Sequence, residues 1–260
     1  AIIAGFLLTA VPNWTGRLPV VGWPLAGLFG LWLGGRIVVA FSASLTPALV
    51  YLAALAFPLA LIVFLTREIL AGHNWRNLKV IVVLTLFAAT QILFYYENIR
   101  YGTSAYAERA AIALIVMLIQ IIGGRVVPSF TRNWLKKQGS PALPPGFGEF
   151  DRFVMVMSAA GLCAWVVFPA FDIEEPVLGL LLMAISAFNL FRQWRWRPLQ
   201  TFAEPLVFIL HLAFLPVSLG FVFAGYAAFT GNGGAESAAI HCWTVGAIGG
   251  MTLAIMTRAS

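Results

Sequence analysis

The stretch with the most evident chemical potential is the apolar segment HCWTVGAIGGMTLAIMTRAS, residues 241–260. At helical spacing, one stripe of this segment is expected to carry His241, Val245, Gly249, Thr252 and Met256. An imidazole beside small residues, in a helix that lipid would keep apolar, indicates a buried site that uses a nitrogen lone pair. A histidine that bonds a neighbour's carbonyl at a helix interface is an equally open interpretation.

A second histidine, His211, lies in the preceding apolar segment, about eight residues and roughly 12 Å from its cytoplasmic end. Pro216 is expected to kink that helix and to free a carbonyl. The two histidines fall on consecutive antiparallel helices at different depths. A flat macrocycle between the helices could meet both, whereas one metal ion bound by both would need a tilt or kink. Neutral imidazoles are common ligands of metals and haem, so the pair is a candidate metal site, although no spacing motif supports it.

The composition indicates that most of the chain lies in lipid. Of the 260 residues, 61% are hydrophobic and 10% are charged, against about 25% charged residues in a soluble domain. The net charge of +6 is expected to face anionic lipid in cytoplasmic loops, and nothing in the sequence favours nucleic acid as a partner. The cysteines, Cys163 and Cys242, fall in apolar segments, which argues against a disulfide framework.

Apolar runs separated by Pro, Gly or charge predict an all-α, polytopic transmembrane helical bundle. Gly246 and Gly250 form a G-x-x-x-G that should let a neighbouring helix pack closely. We expect residues 1–260 to be a single transmembrane domain, cut at both ends from a longer protein, with a cytoplasmic loop at 128–151. One partial and eight full spans are predicted, near 1–11, 20–41, 46–65, 78–96, 107–127, 151–171, 175–192, 203–225 and 238–257.

Charge alternates between successive connections, and one side holds most of the 16 Lys and Arg. The positive-inside rule assigns that side to the cytoplasm. Singly, the residues at this face are anchors, and together the arginines could form a ring that holds an anion or a porphyrin's carboxylates. The candidate binding residues at this face are Arg125, Arg132, Arg258, Asn13 and Trp14.

The sequence contains no signature of a soluble enzyme: no phosphate-binding glycine loop, no H-E-x-x-H, no C-x-x-C and no nucleophile elbow. Whether the protein is an enzyme stays open, and we favour a non-catalytic or undefined metal-dependent role. The third histidine, His73, falls in a charged cytoplasmic turn and is expected to be solvated. One alternative is a secondary transporter or permease of a small anion, with the arginines and a broken helix at Pro216. Another is a structural membrane scaffold.

Several stretches resemble the NnrS family of bacterial membrane proteins. They are AGFLLTAVPNWTG (4–16), GGRVVPSFTRNWL (123–135), HCWTVGAIGGMTLAIMTRAS (241–260) and, before the last of these, RQWRWRPLQTFAEPLVFILHLAF (192–214). The resemblance implies a multi-pass inner-membrane protein that binds haem and copper. It also implies a role in the nitric oxide response of denitrifying and other bacteria, where such proteins relieve nitrosative stress.

Carried onto this sequence, the family's motif histidines fall at His211 and His241, which the resemblance therefore implies as metal ligands. The implied partners are the lipid bilayer and nitric oxide or metal–nitrosyl species, and the oligomeric state stays open. Family members carry a histidine-rich H-x-H-E-M segment just upstream of AGFLLTAVPNW, so we expect the site in this chain to be incomplete. The cytoplasmic motif residues, implied to lie at the cofactor, are Asn13, Trp14, Arg125, Arg132, Asn133 and Arg258.

Overall fold

The computed structural model describes residues 2–168 and 175–259, without the side chains of 2, 3, 76, 175, 258 and 259. Over these ranges the chain is helical and contains no strand, which confirms the all-α prediction. A π-helical segment, Cys242–Gly249, joins the last two helices. The helices are α1 (Ile2–Thr15), α2 (Trp23–Ala40), α3 (Pro47–Ala71), α4 (Leu78–Tyr101), α5 (Ala105–Lys137), α6 (Glu149–Val167), α7 (Glu175–Trp194), α8 (Pro205–Thr230), α9 (Gly233–His241) and α10 (Gly250–Ala259).

Within the described residues, 8 helical runs are long and apolar enough to cross a membrane, judged by length and composition. They are α2 to α8 and the continuous run Gly233–Thr257. The predicted partial span corresponds to α1, whose 14 residues fall short of the roughly 20 that a full span needs. The prediction of eight full spans and a partial one is confirmed, and the chain is a multi-pass membrane protein.

Helix boundaries follow the expected local rules. Proline occupies the first turn of α2, α3 and α8, where its missing N–H has no helical partner in any case. Gly102 and Gly231 end α4 and α8 in the left-handed conformation. The side chain of Asn232 caps α9 by accepting the N–H of Ala235 at 3.2 Å.

The largest departure from the predicted spans is the length of α5. The helix continues through Pro128 to Lys137, so the connection predicted at 128–151 is reduced to 138–148. Val127, Thr131 and Leu135 recur every four residues and are buried. Their packing holds the helix together beyond the proline, whose lost hydrogen bond neighbouring elements can offset in a membrane helix.

Residues 1–111 form one compact unit, in which α3 packs against α1, α2 and α4. A Cβ on Gly35 of α2 would lie 2.9 Å from the carbonyl oxygen of Ala53, so only glycine permits this approach. Gln91 Nε2 donates to the carbonyl of Ala54 at 3.1 Å and ties α4 to α3.

Residues 112–260 form a second compact unit, and α8 is its central helix. Helices α7, α9 and α10 and the π-helical segment all pack against α8, while α6 packs against α7. Buried residues occur along α8 from Val207 to Ala227, as expected for a helix surrounded by others. The chain divides into these two compact units, and whether they form a single domain stays a prediction.

The predicted close approach at Gly246 and Gly250 is confirmed, and the neighbouring helix is α8. A Cβ on Gly246 would lie 2.6 Å from the Cβ of Pro216, and one on Gly250 would lie 3.3 Å from the Cβ of Ala213. Pro216 itself lies inside α8, which runs unbroken from 205 to 230.

Trp243, in the π-helical segment, is the largest fully buried side chain of the second unit. Its ring meets Trp165 and Phe221 edge-on, with centroid distances of 4.9 and 5.4 Å. Its Nε1 donates to the carbonyl of Val217 at 3.1 Å. A Cβ on Gly220 would overlap the indole ring, so Gly220 is the residue that admits Trp243 to the core.

We expect Gly220→Ala to lower the free energy of unfolding by about 1–3 kcal/mol, because the added methyl overpacks the Trp243 site. Thermal unfolding in detergent, followed by circular dichroism, measures the effect. The matched control is Gly27→Ala in α2, where no atom lies within 4 Å of the new Cβ. Equal behaviour of the two variants would contradict the assigned packing.

Candidate functional site

A set of polar side chains is buried among α5, α6, α7 and α8 of the second unit. None of them is more than 5% exposed. Buried polar groups are normally hydrogen-bonded, so each unpaired atom in this set points to a function or to a missing partner. We call the set the polar core: Gln120, Thr131, Asp151, Ser158, Ser186, Asn189, Arg192, Gln193, His211 and Ser218.

His211 is fixed in the polar core by Thr131 of α5. The Nε2 atom lies 2.8 Å from Thr131 Oγ1, and the Thr131 hydroxyl donates to the carbonyl of Val127 at 2.9 Å. Because the hydroxyl hydrogen is engaged there, the hydroxyl oxygen accepts from His211, which assigns the proton to Nε2. The unprotonated nitrogen is therefore Nδ1, which is buried without a partner.

Two amide oxygens of the polar core are also buried without a hydrogen-bond partner. Gln193 Nε2 donates to the backbone carbonyl of His211 at 2.6 Å, and Asn189 Nδ2 donates to Ser158 Oγ at 2.9 Å. These bonds orient the amides and leave Gln193 Oε1 and Asn189 Oδ1 buried without a donor. With His211 Nδ1, the polar core thus contains several unused lone pairs, which a metal ion or a hydrogen-bond donor would satisfy.

His241 differs from His211 in burial and in the nitrogen it presents. It is the last residue of α9 and is exposed. Its Nδ1 lies 2.7 Å from the carbonyl oxygen of Ser237, one turn earlier, and therefore carries the proton and donates. The free lone pair is on Nε2, at the surface of the unit.

The predicted burial of the His241 stripe is wrong. Val245 and Met256 of that stripe are 70% and 59% exposed. The buried face is instead the one that carries Trp243, Ala247 and Met251, because Trp243 enters the core and the glycine pair packs on α8. The π-helical segment also departs from the 3.6-residue repeat on which the stripe was predicted.

The two histidines do not fit one shared metal ion or one shared macrocycle. Gly250 lies opposite Ala213 and Gly246 opposite Pro216, so the helices are antiparallel and the histidines are offset by roughly 15 Å along their axes. The His241 ring bonds backwards to its own helix, away from the level of His211.

The predicted arginine ring stays a prediction. Arg132 Nη2 donates to the carbonyl of Pro144 at 2.8 Å and so holds the 138–148 connection against α5. Arg125 is half-buried on the same helix. The side chain of Arg258 lies outside the described residues.

Asn13 and Trp14 close α1 in the first unit. Asn13 is exposed, and its Nδ2 donates to the carbonyl of Thr9 at 3.2 Å. The carbonyl of Trp14 accepts from Asn74. Their place at a cofactor stays a prediction.

Sequence reasoning missed the buried ion pair of the polar core. Arg192 Nε donates to Asp151 Oδ1 at 2.9 Å, and the two side chains are 0% and 5% exposed. Arg195 Nη1 lies 3.8 Å from Asp151 Oδ2. Asp151 begins and Arg192 ends a predicted span, where charged residues are usually solvated. The signal that could have found them is the apolar sequence beside each one.

Among the described residues, no group of three or more His, Cys, Asp or Glu side chains could hold a metal ion. A metal site with three or more ligands of these types is therefore not assembled among those residues. What the polar core presents is one buried imidazole nitrogen without a partner, His211 Nδ1.

The sequence model of one protein family, described as NnrS protein, matches residues 1–260. The chain belongs to the NnrS family. Membership supports a membrane protein of the nitric oxide response in general terms. No match was found among the curated proteins or the solved structures.

For this NnrS-family chain we expect Asp151→Asn to destabilise the fold by about 3–5 kcal/mol, because it leaves the buried Arg192 charge uncompensated. The control is Glu149→Gln, which removes a neighbouring but exposed ion pair with Arg152 and should change little. Thermal unfolding of both purified variants gives the comparison. Loss of stability in Glu149→Gln but not in Asp151→Asn would contradict this prediction.

Thr131→Val should cost about 1–3 kcal/mol, because His211 Nε2–H is left buried without an acceptor. Thr131→Ser retains the hydroxyl and should keep nearly the original stability. The imidazole ¹⁵N shifts of His211 give a second readout. Only the valine variant removes the acceptor that keeps the proton on Nε2, so only this variant should change the shifts. Identical spectra in both variants would show that Thr131 does not set the protonation of the ring.

Proposed function

We propose that this chain binds haem and copper through single imidazole ligands. Its role in this proposal is that of an inner-membrane protein that relieves nitrosative stress. Membership in the NnrS family supports the general role in the nitric oxide response. The structural observation that carries the metal proposal is the buried, unpaired Nδ1 atom of His211. A lone pair in that position is costly unless a partner binds it.

The chemistry of nitric oxide suits this location. Nitric oxide is a small, weakly polar molecule that enters lipid, and iron or copper held by imidazole would supply the centre that binds it. In this chain His211 Nδ1 would hold the metal, and Thr131 would keep the proton on Nε2. A fixed tautomer and ring orientation are what outer hydrogen bonds provide to ligating histidines.

We assign His241 to a second, separate group. Its Nδ1–H donates to a backbone carbonyl, the usual orienting bond of a ligating histidine, and Nε2 is the atom left to bind. A group held there would stand at the surface of the last span, on the side opposite the basic connections.

The proposed role is protective rather than catalytic. No catalytic motif occurs in the sequence, and the Thr131 hydroxyl, which lies beside His211, donates to the carbonyl of Val127 rather than to the imidazole. Interception of nitric oxide or of metal–nitrosyl species requires binding alone, which the two imidazole positions could provide. In this proposal the polar core lies toward the cytoplasmic side of the inner membrane, which the positive charge of the connections supports.

The alternative, a permease for a small anion, is predicted from the arginines at the cytoplasmic face, and the buried Arg192 of the polar core also favours it. The permease alternative also predicts a helix broken at Pro216, whereas α8 runs unbroken through that residue. Anion uptake into proteoliposomes distinguishes the two functions, since the permease alternative requires uptake that depends on Arg192 and not on the histidines.

The test of the metal proposal is the absorption spectrum and metal content of the full-length protein and its histidine variants. We expect His211→Ala and His241→Ala each to lose a different group, because the rings serve separate positions. The matched control is His73→Asn, which changes the remaining histidine at an exposed turn with φ 50°, a conformation that asparagine accepts.

Cells that carry each variant should lose tolerance to a nitric oxide donor in parallel with the lost group, while His73→Asn cells keep it. Wild-type protein without haem or copper, or single variants that retain both, would overturn the proposal.

A further inference from the structure

The guanidinium of Arg192 has an edge without a partner. Its Nε donates to Asp151, and its Cζ lies 5.3 Å from the ring centroid of Trp196. Both terminal nitrogens, Nη1 and Nη2, are buried and make no hydrogen bond. Charged donors in this condition are among the costliest features a protein interior can hold, so an acceptor is expected there.

The local charges favour an anion over a neutral acceptor. Arg192 and Arg195 share the single carboxylate of Asp151, at 2.9 and 3.8 Å. The three groups together carry one positive charge in excess. Glu149, the nearest acidic residue in sequence, is exposed and paired with Arg152. One monovalent anion would balance the cluster.

Helix α5 shapes the space beside this edge. A Cβ on Gly124 would lie 3.0 Å from Arg192 Cζ and 3.3 Å from Nη1, so glycine lets the guanidinium rest against the helix. Gln120 precedes Gly124 by one turn and lies on the same helix face. Its amide is fully buried, and both Nε2 and Oε1 lack a partner. The same face of α5 thus adds a further unused donor.

We propose that the Nη1–Nη2 edge of Arg192 binds one planar monoanion through two oxygen atoms, as in a carboxylate or nitrite. The paired N–H groups of a guanidinium edge match two such oxygens, whereas a spherical ion uses the fork poorly. The anion could be free in solution or could be a carboxylate of a bound porphyrin. The proposal requires neither His211 nor His241 as a ligand, so it can fail independently of the metal proposal.

The experiment titrates the haem-free, full-length protein with sodium formate and sodium nitrite and follows the unfolding temperature. Sodium chloride at equal ionic strength is the reference. Formate and nitrite should raise the unfolding temperature in a saturable manner, and chloride should not. Arg192→Lys keeps the charge but loses the fork, and it should weaken formate binding by about tenfold or more.

Arg152→Lys is the matched control, because Arg152 is exposed and its side chain lies outside the polar core; it should bind formate like the wild type. Where Arg192→Lys fails to fold, Gly124→Ala replaces it, since the new methyl displaces the guanidinium and leaves every charge in place. This variant should also bind formate more weakly.

Repeating the titration with haem-loaded protein separates the two sources of the anion. If the natural occupant is a porphyrin carboxylate, haem blocks formate binding and Arg192→Lys weakens haem retention. If it is a free anion, formate binds equally with and without haem. Equal stabilisation by chloride, no effect of formate on the wild type, or unchanged binding by Arg192→Lys or Gly124→Ala would each overturn the proposal.

Discussion

The second unit is organised around a charge pair that an apolar interior accepts only when it is closely matched. Asp151 binds Arg192 through one oxygen and, through the other, accepts the backbone N–H of Gly148 at 3.1 Å, where α6 begins. The same carboxylate therefore sets the start of α6 and the position of α7. Removing either partner would strand the other charge, so the pair constrains the register of both helices.

That register extends to the histidine site through consecutive residues of one helix. Arg192 is directed to Asp151 and α6, while Gln193, the next residue, donates to the backbone of His211 on α8. Successive residues of a helix point about 100° apart, so fixing one fixes the direction of the next. The geometry of the candidate ligand thus depends on an ion pair that does not touch it.

The sequence predicts the helices well because the number and order of spans depend on hydrophobicity averaged over many residues. Local irregularities change this average little. The close packing at Gly246 and Gly250 is also predictable, since absent side chains permit contact whatever the partner. The length of α5 is not, because Pro128 reads as a stop until the buried face of Val127, Thr131 and Leu135 is known.

The candidate site is predictable only in part, for a different reason. Helical periodicity groups residues on one face but does not say which face turns inward, and this is why His211 is buried while His241 is exposed. Charges at span ends are ambiguous in the same way. Only tertiary packing shows that Arg192 ends inside the bundle, in contact with Asp151 and Trp196.

The unpaired atoms of the polar core include both acceptors and donors. His211 Nδ1 and Gln193 Oε1 are acceptors, whereas the free edge of Arg192 consists of donors. Gln193 Oε1 and the Arg192 edge belong to neighbouring residues on α7 yet do not satisfy each other, because successive residues of a helix point to different sides. His211 Nδ1 is suited to an electron-pair acceptor and the Arg192 edge to an anion, so the two unpaired groups call for partners of different kinds.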